Sequence, residues 1–375
     1  MDIFAQTAPL LNCLQAKGHR AFIVGGAVRD ALLKRAISDI DIVTSAEPEE
    51  IHALFPNTFM MNNQHQTVIV RFEGLLFEVT TERGNTIEED LLKRDFTINS
   101  MAINEEGSLL DPTNGQEDLK MRRLRSFQPA QRMSEDPLRL LRALRFISEL
   151  GFDIDGELLE VIHSYHPSLR NVAIERVIKE FEKLFRGTYR NAAIQHLLNT
   201  HMYSSLPMMK LTEQKVKRLL TLPSFQGESD VICWTTIAYC FEWTEKELLK
   251  SLTLSNRLIQ DIKERLRYIA IRQKQEWTPW LLYKAGINTA QDVERLRAHF
   301  GHTAETLQQM WDGLPIKGKN ELALTGTDLL KQVQAKAGPW VKDELEWAEK
   351  AVVTGALDND KLILLEQLAR RRDKH

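Results

Sequence analysis

Near residue 120 the hydrophobic pattern changes period. Before that point, short apolar runs with strand character are separated by turns. Beyond residue 139, apolar residues recur at helical spacing as far as Ala369, and no alternation of comparable length returns. Residues 21–24 read as a strand broken by Gly25 and Gly26, residues 27–33 as a helix, and residues 37–43 as an alternating strand. Residues 67–72 and 75–81 form a hairpin across Glu73 and Gly74. This predicts a small mixed α/β sheet flanked by helices, followed by helices at 137–150, 156–164, 172–184, 189–199 and onward. At 375 residues the chain exceeds one ordinary core. Candidate joints fall at Gly151, at 206–208, at Gly227 and at 315–318.

With 43% hydrophobic and 27% charged residues, the composition excludes disorder and fibrous repeats. No run of about 18 uncharged apolar residues occurs, and the N-terminus lacks signal-peptide character, so a cytoplasmic protein with no membrane partner is expected. Cys13, Cys233 and Cys240 show no CxxC spacing and are expected to be buried thiols. The net charge of -3 conceals a local excess between residues 119 and 145. There Lys120, Arg122, Arg123, Arg125, Arg132, Arg139, Arg142 and Arg145 face only Glu135 and Asp136, which marks this segment for an anion.

Five motifs carry chemistry. Gly25-Gly26-Ala27-Val28-Arg29-Asp30 sits at a strand-to-helix turn, where glycines admit close backbone approach and Arg29 adds a fork for phosphate. In Asp39-Ile40-Asp41, strand alternation puts both carboxylates on one face, and such a pair suits magnesium; Glu78 on a neighbouring strand is a third candidate. Lys93-Arg94-Asp95-Phe96-Thr97-Ile98-Asn99 precedes an apparent helix start, which Asp95 is expected to cap. Asp111-Pro112-Thr113-Asn114-Gly115 reads as a turn held by its own polar groups. In Glu135-Asp136-Pro137-Leu138-Arg139, Pro137 suits a first helical position. Arg139, Arg142 and Arg145 then share one face, opposite Leu140, Leu141, Leu144 and Ile147.

In this order and spacing the five motifs resemble the bacterial class of tRNA nucleotidyltransferases, the CCA-adding enzymes of the polymerase-β nucleotidyltransferase superfamily. The match is strongest over residues 22–184 and resumes weakly at 314–326 and 338–345. The resemblance implies a polymerase-β-like head (residues 1–120), then an all-α neck carrying the base template (121–185), body (186–295) and tail (296–375). It implies attack of the tRNA 3′-hydroxyl on the α-phosphate of a nucleoside triphosphate, with Mg²⁺ as cofactor. Asp39 and Asp41 then look like metal ligands and catalytic residues with Glu78. Gly25, Gly26, Arg29, Arg94, Asp95 and Asn99 look like nucleotide contacts. Glu135, Asp136 and Arg139 resemble the amino-acid template for the base, with Arg142 and Arg145 as further contacts. A carboxylate and a guanidinium complement the donor and acceptors of cytosine's pairing edge, whereas uracil would set its O4 acceptor against the carboxylate.

Two departures from the family pattern stand out. Lys93 replaces a first arginine and loses its fork. Only 15 residues separate Glu78 from Arg94, leaving little for the flexible loop that full CCA-adding members carry there. That shortening resembles the CC-adding branch, so CTP and the tRNA acceptor end are the expected substrates, with a separate A-adding enzyme as functional partner. A full CCA-adding enzyme, a bacterial poly(A) polymerase and a non-catalytic RNA-binding protein are the alternatives. The helical half is expected to hold tRNA through phosphate contacts, with Lys317, Lys319 and Lys342 as candidates. Trp234, Trp243, Trp277 and Trp280 are expected to pack rather than stack on bases.

Overall fold

The computed structural model describes residues 3–37, 39–60, 67–207, 209–243, 246, 253–334 and 336–372, so Met208 of one expected joint lies outside the described residues. The chain forms two compact units, Met1–Gln226 with Ser251–Thr253, and Gly227–Lys250 with Leu254–His375. Their boundary falls at the joint expected at Gly227.

The first unit holds a seven-stranded mixed sheet. Its strands are β1 (Ala21–Val24), β2 (Ile40–Thr44), β3 (Thr58–Met60), β4 (Thr67–Phe72), β5 (Leu75–Thr81), β6 (Ala102–Ile103) and β7 (Leu109–Leu110), in the order β3-β4-β5-β2-β1-β6-β7. Among the described residues of this sheet, only β2 and β5 pair in parallel. The β4–β5 hairpin turns at Glu73 and Gly74 as expected, both with positive φ (48° and 84°), the geometry a two-residue loop needs to follow strand twist. The second strand begins at Ile40 rather than at residue 37. Lys34 turns left-handed (φ 55°) and the Arg35 N–H donates to the Asp30 carbonyl (2.8 Å), closing the preceding helix.

Val24, Ile42, Val70, Phe77 and Val79 are buried along the sheet. The Asp111 carboxylate accepts from the Gly115 and Gln116 N–H groups (2.7 and 2.8 Å), fixing the expected turn. A Cβ on Gly115 would stand 2.2 Å from the Thr97 carbonyl oxygen, so only glycine fits there. Helix Leu138–Leu150 follows, with Pro137 one residue earlier than expected as its N-cap. Helix Ile174–Arg186 packs against it through Val177, Ile178, Phe181, Leu184 and Phe185.

The second unit is helical throughout its described residues, from Asp230–Phe241 to Lys361–Arg372. One of its cores gathers Leu314, Ile316, Leu322, Leu324, Val352 and Leu364. Trp234, Trp243 and Trp277 are buried, and Trp280 packs against that core, as expected of packing residues. Cys233 and Cys240 are buried but Cys13 is exposed, against expectation: it lies on the outer face of helix Ile3–Gln15, whose Leu10, Leu11 and Leu14 fill the core. Among the described residues no helix is long and apolar enough to cross a membrane.

Candidate active site

Strand β2 carries Asp41 between two neighbours. It is in register with Val24 on β1 and with Glu78 on β5, so the third carboxylate expected near the pair does lie across from Asp41. Burial, then the Glu78 charge and the Asp39 charge, push the Asp41 carboxyl up to about 6, while Arg94 and Arg29 pull it the other way. The two arginines do not offset burial and the neighbouring carboxylates. A hard divalent ion would, since it takes carboxylate oxygens and keeps positions for water and phosphate oxygens. Asp39 is exposed just ahead of the strand and lines the same cavity. Among the described residues no three His, Cys, Asp or Glu side chains are grouped so as to hold a metal ion by themselves. Glu78 does not line the cavity.

That cavity, about 620 Å³, is walled by Gly25, Gly26, Arg29, Arg94, Asn99 and Arg145 among others. Gly25 adopts φ 68°, ψ -132°, which favours glycine, and a Cβ there would stand 3.1 Å from both Arg94 Nη1 and Asp41 Oδ2 and press on them. Arg29 is more engaged than expected of a phosphate fork. Its Nε and Nη2 donate to Asp30 (3.1 and 2.8 Å), its Nη1 donates to Asn99 Oδ1 (2.7 Å), and its guanidinium lies 5.1 Å from the Phe146 ring centroid.

Asp95 does not cap a helix. The short turn Thr97–Asn99 has Phe96 at its N-cap position without a side-chain bond, and Asp95 is buried beneath Arg142 instead. Arg142 Nε and Nη2 donate to Asp95 Oδ2 (3.0 and 2.8 Å), and Asn99 Nδ2 donates to Oδ1 (3.0 Å). Burial works against the charge, yet these partners hold the Asp95 carboxyl well below the usual carboxylate range. Arg94 donates from Nε to Asp90 (3.0 Å), which Arg83 also grips, and Lys93 donates to the Arg83 carbonyl rather than facing a cavity.

A second cavity of about 460 Å³ shares Arg94, Asp95 and Arg142 with the first and adds Asp136, Arg139 and Arg176. Asp136 accepts a bidentate grip from Arg176 (3.2 and 2.8 Å) and accepts from the Leu138 N–H (3.2 Å). Arg139 Nη1 donates to Glu135 (3.1 Å) and to the Arg132 carbonyl (2.9 Å), which fixes its fork. Glu135 thus orients Arg139 without lining either cavity.

The sequence reading missed Glu180 and Arg176. Glu180 is 7% exposed; its Oε1 accepts from Arg142 (3.1 Å), and its Oε2 lies 3.3 Å from Arg145 Nε. Burial pulls the Arg145 guanidinium down, and it stacks 4.1 Å from the Phe146 centroid. The available signal was a glutamate three residues after Val177 and four before Leu184, inside an apolar stripe. The basic run is only partly an anion site. Arg123 and Arg125 are held by buried Asp118, Arg122 by the Leu150 and Gly151 carbonyls, and Arg132 by Glu135.

A carboxylate on a strand and one just ahead of it, beside a Gly-Gly turn and an arginine-walled cavity that shares residues with a carboxylate and guanidinium edge, fit a nucleotidyltransferase. Residues 21–125 match the Poly A polymerase head domain, 151–211 the probable RNA and SrmB-binding site of polymerase A, and 225–368 the putative tRNA nucleotidyltransferase domain 2. CC-adding tRNA nucleotidyltransferases from Shouchella clausii (40% identical, all of both chains) and Halalkalibacterium halodurans (39%, 99% of both) are similar over their length. So is a Bacillus cereus CCA-adding enzyme (37%, 98% of both). The crystal structure of Bacillus stearothermophilus CCA-adding enzyme in complex with CTP superposes with a TM-score of 0.92 at 34% identity, covering 100% of this chain and 99% of that one. The chain belongs to the tRNA nucleotidyltransferase family.

Proposed function

We propose that this chain is a CC-adding tRNA nucleotidyltransferase, which extends the tRNA 3′ end by two cytidines from CTP. The observation that carries the CC restriction is the connection between β5 and helix Ile87–Leu92, five residues long and hydrogen-bonded on both sides of Gly84. The Glu82 N–H donates to the Thr44 carbonyl (2.8 Å), the Arg83 N–H to Asp90 (3.2 Å) and the Asn85 N–H to Glu89 (3.0 Å), while Arg20 donates to the Asn85 carbonyl (2.9 Å) and Thr86 caps the helix. A movable loop has no place in it. Alignments with CCA-adding relatives span 391 to 393 positions, against 377 and 378 with the CC-adding relatives, for a chain of 375 residues, so the CCA-adding relatives carry more residues that this chain lacks.

The tRNA 3′-hydroxyl oxygen attacks the α-phosphorus of CTP and gives up its proton to solvent, the bond to the bridging oxygen breaks, and pyrophosphate leaves with the electron pair. Asp39 and Asp41, with Glu78 behind them, would hold a divalent cation, Mg²⁺ in this reading, which supplies positive charge against the phosphates. Gly25 and Gly26 let the triphosphate approach the backbone; Arg29, Arg94, Arg142 and Arg145 orient it, and Asn99 and Asp95 hold Arg29 and Arg142 in place. Asp136 accepts from cytosine N4 and Arg139 donates to its acceptors, steadied by Glu135. The head, neck, body and tail boundaries at residues 120, 185 and 295 belong to this reading, as do a cytoplasmic setting, tRNA held along the helical half and a separate A-adding enzyme.

Product sizing tests it. With tRNA lacking its 3′ end, CTP, ATP and Mg²⁺, the product should gain two residues; a third ending in A overturns the CC restriction, and repeated ATP addition favours a poly(A) polymerase. Asp39→Ala should abolish incorporation while sparing tRNA binding, and unchanged turnover refutes the metal assignment.

A further inference from the structure

The second unit contains a cavity that the reaction above does not use. It measures about 560 Å³ and lies between segment 319–326 and helix Pro339–Val353. Its walls are apolar at Leu322, Leu324, Val341 and Leu345. Three lysines reach it. Lys284 is taken by Glu346 (2.7 Å), while Lys319 and Lys342 are exposed and form no ion pair with a described residue. Lys317, which the sequence suggested beside them, points its backbone N–H at Glu321 and does not line the cavity.

The wall also carries Glu349, which is 4% exposed and whose Oε2 has no hydrogen-bond partner. Burial holds its carboxyl above the usual range although Lys319 and Lys284 pull it down. The Tyr283 hydroxyl, buried and likewise unpartnered, is pushed up to about 12 by burial and by the Glu349 charge. A buried acceptor left unpaired is costly, about 1–3 kcal/mol, and it persists where something else supplies a donor.

An apolar slot with two unpaired cations and a buried acceptor complements a molecule with a flat body, an anionic group and an N–H donor. The volume is ample for one nucleotide. Inorganic phosphate would satisfy only the lysines. An apolar ligand would leave Glu349 unpaired.

We propose that this cavity binds one nucleotide bearing an exocyclic amino group, its phosphate between Lys319 and Lys342 and its base against Glu349. The nucleotide is either free or an unstacked residue of an RNA strand. The RNA source rests on the tRNA reading above; the free-nucleotide source does not.

Two variants separate the parts of the site: the double substitution Lys319→Ala/Lys342→Ala, and Glu349→Leu, which removes the acceptor at similar volume. One arm measures AMP and CMP bound per chain by equilibrium dialysis. The other measures the Kd of tRNA lacking its 3′ end across a salt series. For an RNA source, the double variant should loosen tRNA about tenfold and lower the log–log salt slope by about 0.7–0.9, the expectation for one phosphate contact. Glu349→Leu should loosen it severalfold at unchanged slope, and CTP affinity should stay as in the parent. For a free source, each variant should lose one bound monophosphate per chain with tRNA affinity unchanged. If neither variant alters either arm, the proposal falls. It falls equally if only the lysine variant responds, because the base is then not read. Loss of CC addition with a responsive dialysis arm would overturn the tRNA reading alone.

Discussion

Replacing Asp136 by Asn keeps the shape of the proposed template and reverses its hydrogen-bonding sense. In the parent, uracil would meet two mismatches, O4 against the Asp136 carboxylate and N3–H against the Arg139 donors. Each unpaired polar group costs about 1–3 kcal/mol when buried. The Asp136 side chain is 27% exposed, so water relieves part of this, and the lower end applies. Two mismatches then amount to about 2–3 kcal/mol, or about 30–150-fold in kcat/KM for CTP over UTP. Arg176 decides what the variant does. It has only donors to offer Asp136, so it would turn the new amide oxygen toward itself and leave the amide N–H₂ facing the cavity. That group suits uracil O4 and opposes cytosine N4. In Asp136→Asn the CTP preference should collapse to within about threefold or invert, read by single-turnover incorporation of each nucleotide at subsaturating concentration on tRNA lacking its 3′ end. A preference that stays above about 30-fold would show that Asp136 does not read the base.

Gly25→Ala should reduce incorporation at least tenfold with tRNA Kd unchanged: the backbone conformation costs about 1–3 kcal/mol for a side chain, and the added methyl group presses on Asp41 and Arg94. Parent activity would remove the close-approach argument. Glu180→Leu strips Arg142 and Arg145 of their shared buried partner, so urea unfolding of the first unit should show a loss of about 3 kcal/mol, part of which saturating CTP restores. For pH, Asp41 has a folded pKa above its unfolded one, so without divalent cation its contribution favours the fold while protonated. Stability should therefore rise by up to about 3 kcal/mol as pH falls from about 6 toward 4, and Asp41→Asn should flatten that dependence. Asp95 has the opposite sign. Its stabilisation is present above pH 4 and lost below, and Asp95→Asn should remove the low-pH loss.

Much of this was legible because the signals were local. Strand alternation placed Asp41 and Glu78 on neighbouring strands, and a two-residue turn set the hairpin register. The illegible part was partnership over distance. Nothing around residue 95 announces that Asp95 lies under Arg142, 47 positions away, and its nearness to an apparent helix start suggested a cap. Arg122, Arg123 and Arg125 looked available in a charge count, yet carbonyls and the buried Asp118 had already engaged them. Glu180 escaped notice because an acidic residue on an apolar helix stripe reads as an exception until the facing arginines are in view.

Arg94, Asp95 and Arg142 belong to both cavities of the first unit. In the proposed reaction the Asp95–Arg142 cross-link would meet the base at one end and the phosphates at the other. An ill-fitting base that shifts Arg142 also shifts the groups that align the α-phosphate, so errors should be rejected as slow turnover of nucleotides that still bind. In that reading part of the fidelity comes from alignment, visible in kcat as well as in Kd.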